Sequence, residues 1–187
     1  MILYLLRHGH SPNKKEAGVS RDEDRPLSSQ GQQDIRKIAQ ALQKETPHLL
    51  LSSPLKRAQQ TSQQVLQSLK KDLPLRTLEA LSGNTAVEKL WTILQREFQD
   101  HSKILVVGHQ PQLGALASYL MGQASPGLSP GEILALEILD HPPLTSGWGP
   151  PSNTLGSSGA PVGTRNSVEG VGGTAGPLAK LLWHKNP

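Results

Sequence analysis

Short runs of apolar residues recur along the chain and predict a series of buried β-strands. The first run, residues 2–6, has no polar interruption, which is typical of a strand buried on both faces of a sheet. Each run is much shorter than the roughly 18 apolar residues of a membrane-spanning helix. The predicted strands are residues 2–6, 48–52, 75–81, 103–107, 132–138 and 179–183.

Between these runs, apolar residues recur at helical intervals and predict amphipathic helices. The clearest helical stripe consists of Val87, Leu90, Trp91, Leu94 and Phe98. Residues 11–25 are polar and predict a loop. The expected start signals are Ser28 or Ser29, Ser53 with Pro54, Asn84 or Thr85, and Pro111.

The alternation of strands and helices predicts an α/β fold, a three-layer sandwich whose mostly parallel sheet has helices on both faces. A length of 187 residues fits one domain spanning residues 1–187. Residues 142–177 are rich in glycine, proline and serine, and such a composition buries too little apolar surface to fold alone. We therefore expect a disordered insertion at 142–177, within a connection between two strands.

The composition limits the cellular compartments and the binding partners that we expect for this protein. The chain contains no cysteine, which removes disulfides, thiolate nucleophiles and sulfur-based zinc sites. It shows no signal peptide and no apolar stretch of membrane-spanning length, so we expect a cytoplasmic monomer with no membrane partner. A net charge of +4 favours acidic partners. Because the basic residues are scattered and not interleaved with aromatic residues, we expect no nucleic-acid binding.

Cationic and imidazole side chains follow several of the predicted strands. Arg7 and His8 come directly after the first strand, Arg57 follows the second, and His109 follows residues 103–107. The carboxyl ends of parallel strands share one edge of the sheet, where ligands bind in open α/β folds. A histidine beside fixed guanidinium groups can attack phosphorus while the arginines hold the phosphate oxygens. The sequence therefore predicts a phosphoryl-transfer site.

The same residues carry a family resemblance. The strings Arg7-His8-Gly9, Ser53-Pro54 with Arg57-Ala58 and Thr61, and Gly108-His109 resemble the phosphoglycerate mutase-like histidine phosphatase superfamily. Arg25-Pro26-Leu27-Ser28 with Gly31 resembles its small phosphohistidine phosphatase branch. The resemblance covers residues 1–138 and resumes at 181–183, and it implies a phosphoglycerate mutase-like fold.

The resemblance implies a role for each motif residue. His8 is expected to be the nucleophile and to form a covalent phosphohistidine that water then hydrolyses. Arg7, Arg57 and His109 are expected to bind the phosphate oxygens, His109 as an imidazolium. No metal and no other cofactor is expected. Since His8 must present an unprotonated nitrogen, we expect its other ring nitrogen to donate to a backbone carbonyl.

A proton donor for the leaving group is also implied. The superfamily's esterases commonly carry a glutamate here, with glycine four positions later, and Glu79 with Gly83 fits that spacing. The alternative is that Glu79 is an exposed residue of an edge strand. Two positions depart from the pattern or are unexplained: Lys14 replaces an asparagine of many phosphomutase-like members, and His10 is either a substrate contact or a solvated loop residue.

The predicted function is therefore a metal-independent phosphatase that acts on phosphohistidine of a signalling protein. The alternatives are a phosphomonoesterase for a small phosphorylated metabolite and a non-catalytic phospho-binding protein. His8-Gly9-His10 also resembles the metal-binding pair of barrel amidohydrolases. Such barrels need about 250 residues and eight strand–helix units, more than this chain offers.

Overall fold

The computed structural model of the protein describes residues 1–70, 72–139 and 178–187. The strands are β1 (Ile2–Arg7), β2 (Leu49–Ser52), β3 (Leu75–Thr77), β4 (Lys103–Gly108), β5 (Ile133–Ile138) and β6 (Ala179–Lys185). The helices are α1 (Lys14–Ala17), α2 (Ser29–Leu42), α3 (Lys56–Leu69), α4 (Val87–Glu97) and α5 (Gln112–Met121). Two 3₁₀ turns span Asp22–Asp24 and Glu79–Leu81.

The strands form one six-stranded sheet in the order β3-β2-β4-β1-β5-β6. β1, β2, β3 and β4 pair in parallel, whereas β5 and β6 are antiparallel to their neighbours. The register pairs Arg7 with Gly108 and Ser52 with Val107, so β1, β4 and β2 end side by side. This arrangement confirms the predicted mostly parallel sheet and brings three strand ends to one edge.

Alternate residues of β1 pack into opposite layers. Leu3 and Leu5 belong to the core that also contains the buried side chains of α4 and α5. Tyr4 and Leu6 belong to the core formed with α2 and α3. All four side chains are fully buried, and burial of each such side chain contributes roughly 1.5–3 kcal/mol. Helices therefore cover both faces of the sheet, which confirms the three-layer α/β sandwich.

Local boundaries differ from the sequence prediction at two helix starts. Helix α3 begins at Lys56 after the N-cap Leu55, and no side chain caps it. Ser53 is not its cap because the Ser53 hydroxyl contacts His109 instead. Helix α4 follows Ala86 without a side-chain cap, so the predicted caps Asn84 and Thr85 are wrong. Ser28 does cap α2, since its hydroxyl oxygen accepts the Gly31 N–H at 3.0 Å.

Two further segments are corrected. The predicted strand at residues 75–81 ends at Thr77, and its second part is the 3₁₀ turn Glu79–Leu81. The predicted loop at residues 11–25 contains α1, which Asn13 and Glu16 close with a capping box. The capping box satisfies the amino end of α1, and Gly18, in the left-handed conformation, donates its N–H to the Lys14 and Lys15 carbonyls at the other end. The helix has no buried residue, so its sequence shows no apolar stripe.

β5 and β6 form an adjacent antiparallel pair. Ile138 pairs with Ala179, and the Leu139 N–H donates to the Leu178 carbonyl at 3.0 Å. The chain therefore leaves and re-enters the described structure at neighbouring points. The predicted insertion at residues 142–177 lies outside the described residues. Across the part of the chain that the structure does describe, no helix has the length and apolarity that membrane crossing requires.

Candidate active site

Arg7, His8, Arg57 and His109 form one cluster at the carboxyl edge of the sheet. Arg7 ends β1, His8 follows it, Arg57 lies in the first turn of α3, and His109 follows β4. The His8 and His109 rings have centroids 4.9 Å apart, and Arg57 Nε lies 3.2 Å from His8 Nε2. His8, Arg57 and His109 are only 7%, 6% and 6% exposed. The structure thus brings together all four phosphate-site residues that the sequence suggested.

One hydrogen bond fixes the tautomer of His8. Its Nδ1 lies 2.8 Å from the Gly9 carbonyl oxygen, which can only accept, so Nδ1 carries the proton. Nε2 is then unprotonated and accepts the N–H of Arg57 Nε. This is the arrangement expected of a nucleophilic histidine, with the lone pair of Nε2 directed into the cluster.

The backbone around His8 has no room for a side chain at Gly9. A Cβ there would meet the Gly31 carbonyl oxygen at 2.9 Å and Ile35 at 3.0 Å. The Gly9 N–H donates to the Thr61 hydroxyl at 3.1 Å, and that hydroxyl donates to the Arg57 carbonyl at 2.8 Å. Thr61 therefore links the strand end that bears His8 to the helix that bears Arg57.

Ser53 orients His109. The Ser53 hydroxyl oxygen accepts the Leu55 N–H at 3.3 Å and lies 2.7 Å from His109 Nε2. When that hydroxyl donates to Nε2, the neutral His109 ring carries its proton on Nδ1. Ser53 is itself fully buried, and its N–H donates to the Val107 carbonyl on β4. Sequence reasoning treated Ser53 only as a helix cap and missed this role.

Two buried nitrogens of the cluster, Arg7 Nε and His109 Nδ1, have no hydrogen-bond partner within residues 1–70, 72–139 and 178–187. The Arg7 side chain is anchored instead through Nη1, which donates to the Leu128 carbonyl at 2.8 Å. A buried donor without a partner is costly, typically by about 1–3 kcal/mol. An anion that accepts from both nitrogens would remove that cost, which suits a phosphoryl group.

Burial and neighbouring cations keep both histidines neutral in the free protein. Desolvation, followed by the charges of His109, Arg57 and Arg7, lowers the pKa of His8 to about 3, although the Gly9 carbonyl opposes this. Desolvation and the charge of Arg57 lower the pKa of His109 to about 4. The expected His109 imidazolium is therefore absent before an anion binds. A bound phosphoryl dianion would raise the pKa of His109 because opposite charge favours the protonated ring.

Glu79 lies in the 3₁₀ turn after β3, on the same edge of the sheet. Its side chain is exposed and makes no hydrogen bond or salt bridge with any residue in the described ranges. Gln112 holds the turn in place, since its Nε2 donates to the Ala80 and Thr85 carbonyls at 2.9 and 3.1 Å. The structure therefore places Glu79 near the strand ends without bringing it into contact with the four-residue cluster.

Asp22 joins the cluster from a segment that the sequence indicated only as a polar loop. Arg57 Nη1 donates to the Asp22 carbonyl at 2.8 Å, and Nη2 donates to the carboxylate at 2.9 Å. The Arg25 guanidinium binds the other carboxylate oxygen at 2.9 Å. No sequence signal distinguished Asp22 from Glu23 and Asp24 beside it.

His10 turns away from His8. Its Nδ1 lies 2.8 Å from the Ser28 hydroxyl, and its carbonyl accepts the Ser28 N–H at 2.9 Å, so it ties the strand-end loop to α2. His8 and His10 therefore bind different partners and do not converge as a metal-binding pair. In the described ranges, no three histidine, cysteine, aspartate or glutamate side chains are grouped as a metal site.

The family model of the histidine phosphatase superfamily (branch 1) matches residues 3–86 of this chain. An uncharacterized protein of Picosynechococcus sp. is 33% identical over 120 residues, which are 63% of this chain and 71% of that protein. An uncharacterized chloroplastic protein of Arabidopsis thaliana is 33% identical over 131 residues, which are 64% of this chain and 59% of that protein.

Solved structures share the fold. The protein histidine phosphatase SixA in complex with tungstate has a TM-score of 0.68 at 25% identity, over 74% of this chain and 88% of that chain. The α-ribazole phosphatase of Shigella flexneri has a TM-score of 0.62 at 23% identity, over 74% of this chain and 91% of that chain.

The sheet and the buried histidine–arginine cluster at its carboxyl edge define a phosphatase with the phosphoglycerate mutase-like fold. The chain belongs to the histidine phosphatase superfamily.

Proposed function

We propose that the protein removes the phosphoryl group from phosphohistidine on a protein, through a covalent intermediate on His8. The observation that supports this proposal most strongly is the unprotonated Nε2 of His8, which lies in a buried cluster with Arg57 and His109. A neutral imidazole nitrogen is a nucleophile for phosphorus, and the surrounding donors match the oxygens of a phosphoryl group.

The first step forms one bond and breaks one bond. The Nε2 lone pair of His8 attacks phosphorus while the bond from phosphorus to the substrate's ring nitrogen breaks. The electron pair of that bond returns to the substrate ring, which leaves as neutral imidazole when its other nitrogen already carries a proton. Arg7, Arg57 and His109 stabilise the charge on the three equatorial oxygens.

The second step releases phosphate. Water attacks phosphorus, the bond from His8 Nε2 to phosphorus breaks, and its electron pair returns to His8. The proton lost by water passes to the phosphate product or to solvent. The Gly9 carbonyl keeps the Nδ1 proton in place throughout, so His8 returns to the same tautomer. We propose that neither step uses a metal, because the arginines and an imidazolium on His109 supply the positive charge once substrate is bound.

Leaving-group chemistry supports phosphohistidine over phosphate esters. An alkoxide needs a proton in the transition state, whereas an imidazole ring can be protonated before the bond breaks. The one carboxylate that the sequence suggested as proton donor, Glu79, is exposed and makes no hydrogen bond or salt bridge to the cluster. The likeness of the chain to a protein histidine phosphatase structure and its Arg25-Pro26-Leu27-Ser28 string also support the proposal. A cytoplasmic monomer stays a prediction that cell fractionation and solution mass measurement test.

The test compares turnover of a phosphohistidine-bearing protein with turnover of small phosphate esters. We expect higher kcat/KM on the phosphoprotein, trapping of labelled phosphate on His8 after rapid quenching, and full activity after chelation. His8→Ala is expected to abolish both activities, and His10→Ala, which leaves Nε2 of His8 intact, is the matched control. Faster turnover of a small ester would favour a metabolite phosphomonoesterase. Tight phosphate binding without turnover would favour a phospho-binding protein.

A further inference from the structure

Asp22 lies next to the proposed nucleophile, separated from it by one guanidinium group. Arg57 donates from Nε to His8 Nε2 at 3.2 Å and from Nη2 to the Asp22 carboxylate at 2.9 Å. The guanidinium is planar and rigid, so it fixes the spacing between the imidazole and the carboxylate. A single guanidinium group therefore bridges the Asp22 carboxylate and the proposed nucleophile.

The Asp22 carboxylate is held in place from its other side. Arg25 donates to Asp22 at 2.9 Å, and the same guanidinium binds the Pro12 carbonyl at 2.7 Å and the Ser11 carbonyl at 3.0 Å. Hydrogen bonding by Arg25, together with the charge of Arg57, holds the pKa of the Asp22 carboxyl below its ordinary value. Asp22 is thus a fixed anion at neutral pH, and its side chain is still 52% exposed.

A fixed anion beside the phosphoryl site discriminates between leaving groups. The oxygen of an ester leaving group gains negative charge as its bond to phosphorus breaks, and a nearby carboxylate repels that charge. A phosphorylated imidazole ring that is protonated on its second nitrogen instead presents an N–H there, and a carboxylate accepts a hydrogen bond from that N–H. One carboxylate therefore opposes ester cleavage and favours cleavage of a phosphorus–nitrogen bond.

We propose that Asp22 is a specificity-determining residue whose carboxylate accepts the ring N–H of phosphohistidine and selects it over phosphate esters. This inference rests on the proposed function and names the residue that sets its substrate class. The bond from His8 Nε2 to phosphorus forms as the substrate's phosphorus–nitrogen bond breaks. The electron pair of the broken bond returns to the substrate ring, which leaves as neutral imidazole with its N–H. Asp22 stays a carboxylate throughout, and no proton moves to or from it.

The experiment measures kcat/KM for phosphohistidine and for para-nitrophenyl phosphate in the wild-type chain, Asp22→Asn and Asp22→Ala. Nitrophenolate needs no proton to leave, so this ester reports phosphoryl binding without a demand for an acid. The matched control is Asp24→Asn, which removes the same charge from the same turn but from a side chain that pairs with the exposed Arg21. We expect the ratio of kcat/KM on phosphohistidine to kcat/KM on the ester to fall by at least about tenfold in both Asp22 variants and to stay at the wild-type value in Asp24→Asn.

Every other outcome rejects either the role of Asp22 or the proposed function. Equal losses on both substrates mean that Asp22 only positions Arg57, because Arg57 binds the phosphoryl group of either substrate. Wild-type kcat/KM on both substrates in the Asp22 variants means that Asp22 does not contact the leaving group. Either result rejects the inference and leaves the proposed function intact. A wild-type chain that hydrolyses the ester but not phosphohistidine rejects the proposed function itself. Ester turnover in each variant also shows that the variant is folded.

Discussion

Arg57 Nε lies 3.2 Å from His8 Nε2, so the guanidinium of Arg57 donates directly to the proposed nucleophile. This contact occupies the lone pair of His8 Nε2. The same guanidinium binds Asp22 through both terminal nitrogens. Arg57 therefore links the proposed nucleophile to Asp22.

Replacing Arg57 with lysine tests this linking role. Lysine keeps the charge but presents one ammonium group, which cannot contact His8, Asp22 and a phosphoryl oxygen in the same planar geometry. We expect kcat/KM for any phosphorylated substrate to fall by about 10²-fold or more, the scale of losing one oriented donor. Arg76→Lys, on an exposed arginine of β3, is the control for an arginine-to-lysine change. Wild-type kinetics in Arg57→Lys would contradict the prediction.

The buried histidines predict how stability depends on pH. The pKa of His8 is about 3 and that of His109 is about 4 in the folded protein, against an ordinary value of 6.5. When the pH lies between 6.5 and the pKa values of the folded protein, the unfolded chain binds protons that the folded protein does not. The free energy of unfolding therefore falls as the pH falls through this range. Above pH 6.5 this contribution is constant. Each ring accounts for up to about 2 kcal/mol between pH 6.5 and pH 5.

Urea unfolding at about pH 7.5, 6.5, 5.5 and 5 measures how the free energy of unfolding depends on pH. The variant His109→Gln is expected to show a shallower fall of the free energy of unfolding than the wild-type chain. His48→Gln, which changes an exposed histidine at the amino end of β2, is expected to keep the wild-type slope. Parallel slopes in all three proteins would show that burial of His109 does not couple to folding.

Glu79→Gln tests whether an exposed carboxylate acts as proton donor. If Glu79 protonates leaving alkoxides, the variant loses roughly 10²- to 10⁴-fold on an alkyl phosphate and far less on phosphohistidine. Initial rates on the two substrates measure this difference, with Glu88→Gln, another exposed glutamate, as the control. Equal large losses on both substrates would contradict the leaving-group argument. No loss on either would make Glu79 the exposed edge residue of the alternative interpretation.

Replacement of residues 142–177 by Gly-Asn-Gly tests the domain prediction. The flanking strands already pair from Ile138 to Ala179, and the four cluster residues all precede the replaced segment. A long connection costs only about 0.6 kcal/mol per doubling of length, so the shortened chain should keep its stability or gain slightly. Thermal unfolding and turnover of small and protein substrates compare the two chains. An unfolded or inactive shortened chain would contradict the prediction.

If only turnover of the protein substrate falls, the fold prediction stands and the segment takes part in docking that substrate. A matched control keeps the full length and scrambles the order of residues 142–177. Composition is then unchanged while any specific docking string is lost. Equal effects of shortening and scrambling would assign the loss to sequence, and an effect of shortening alone would assign it to length.

The fold could be predicted where a local pattern decides the structure. The uninterrupted run before Arg7 and the helical stripe from Val87 to Phe98 each follow from the period of their own side chains. The start of α3 was less predictable, because the Ser53 hydroxyl had two possible hydrogen-bond partners. Local rules assign its hydroxyl to a helix cap, whereas the folded chain offers His109 Nε2 at 2.7 Å. Exposed turns such as Glu79–Leu81 carry too little apolar pattern to fix their conformation.

The sequence by itself determined which side chains stand at strand ends, and therefore the cluster of Arg7, His8, Arg57 and His109. Apolar period and the residues that interrupt it are local properties, so they need no knowledge of neighbouring strands. Only the tertiary structure decided that β4 lies between β1 and β2 and that Asp22 reaches Arg57. Those contacts join segments that are far apart in the chain. They form only in a packing that buries both faces of the sheet and pairs the charged side chains at its edge.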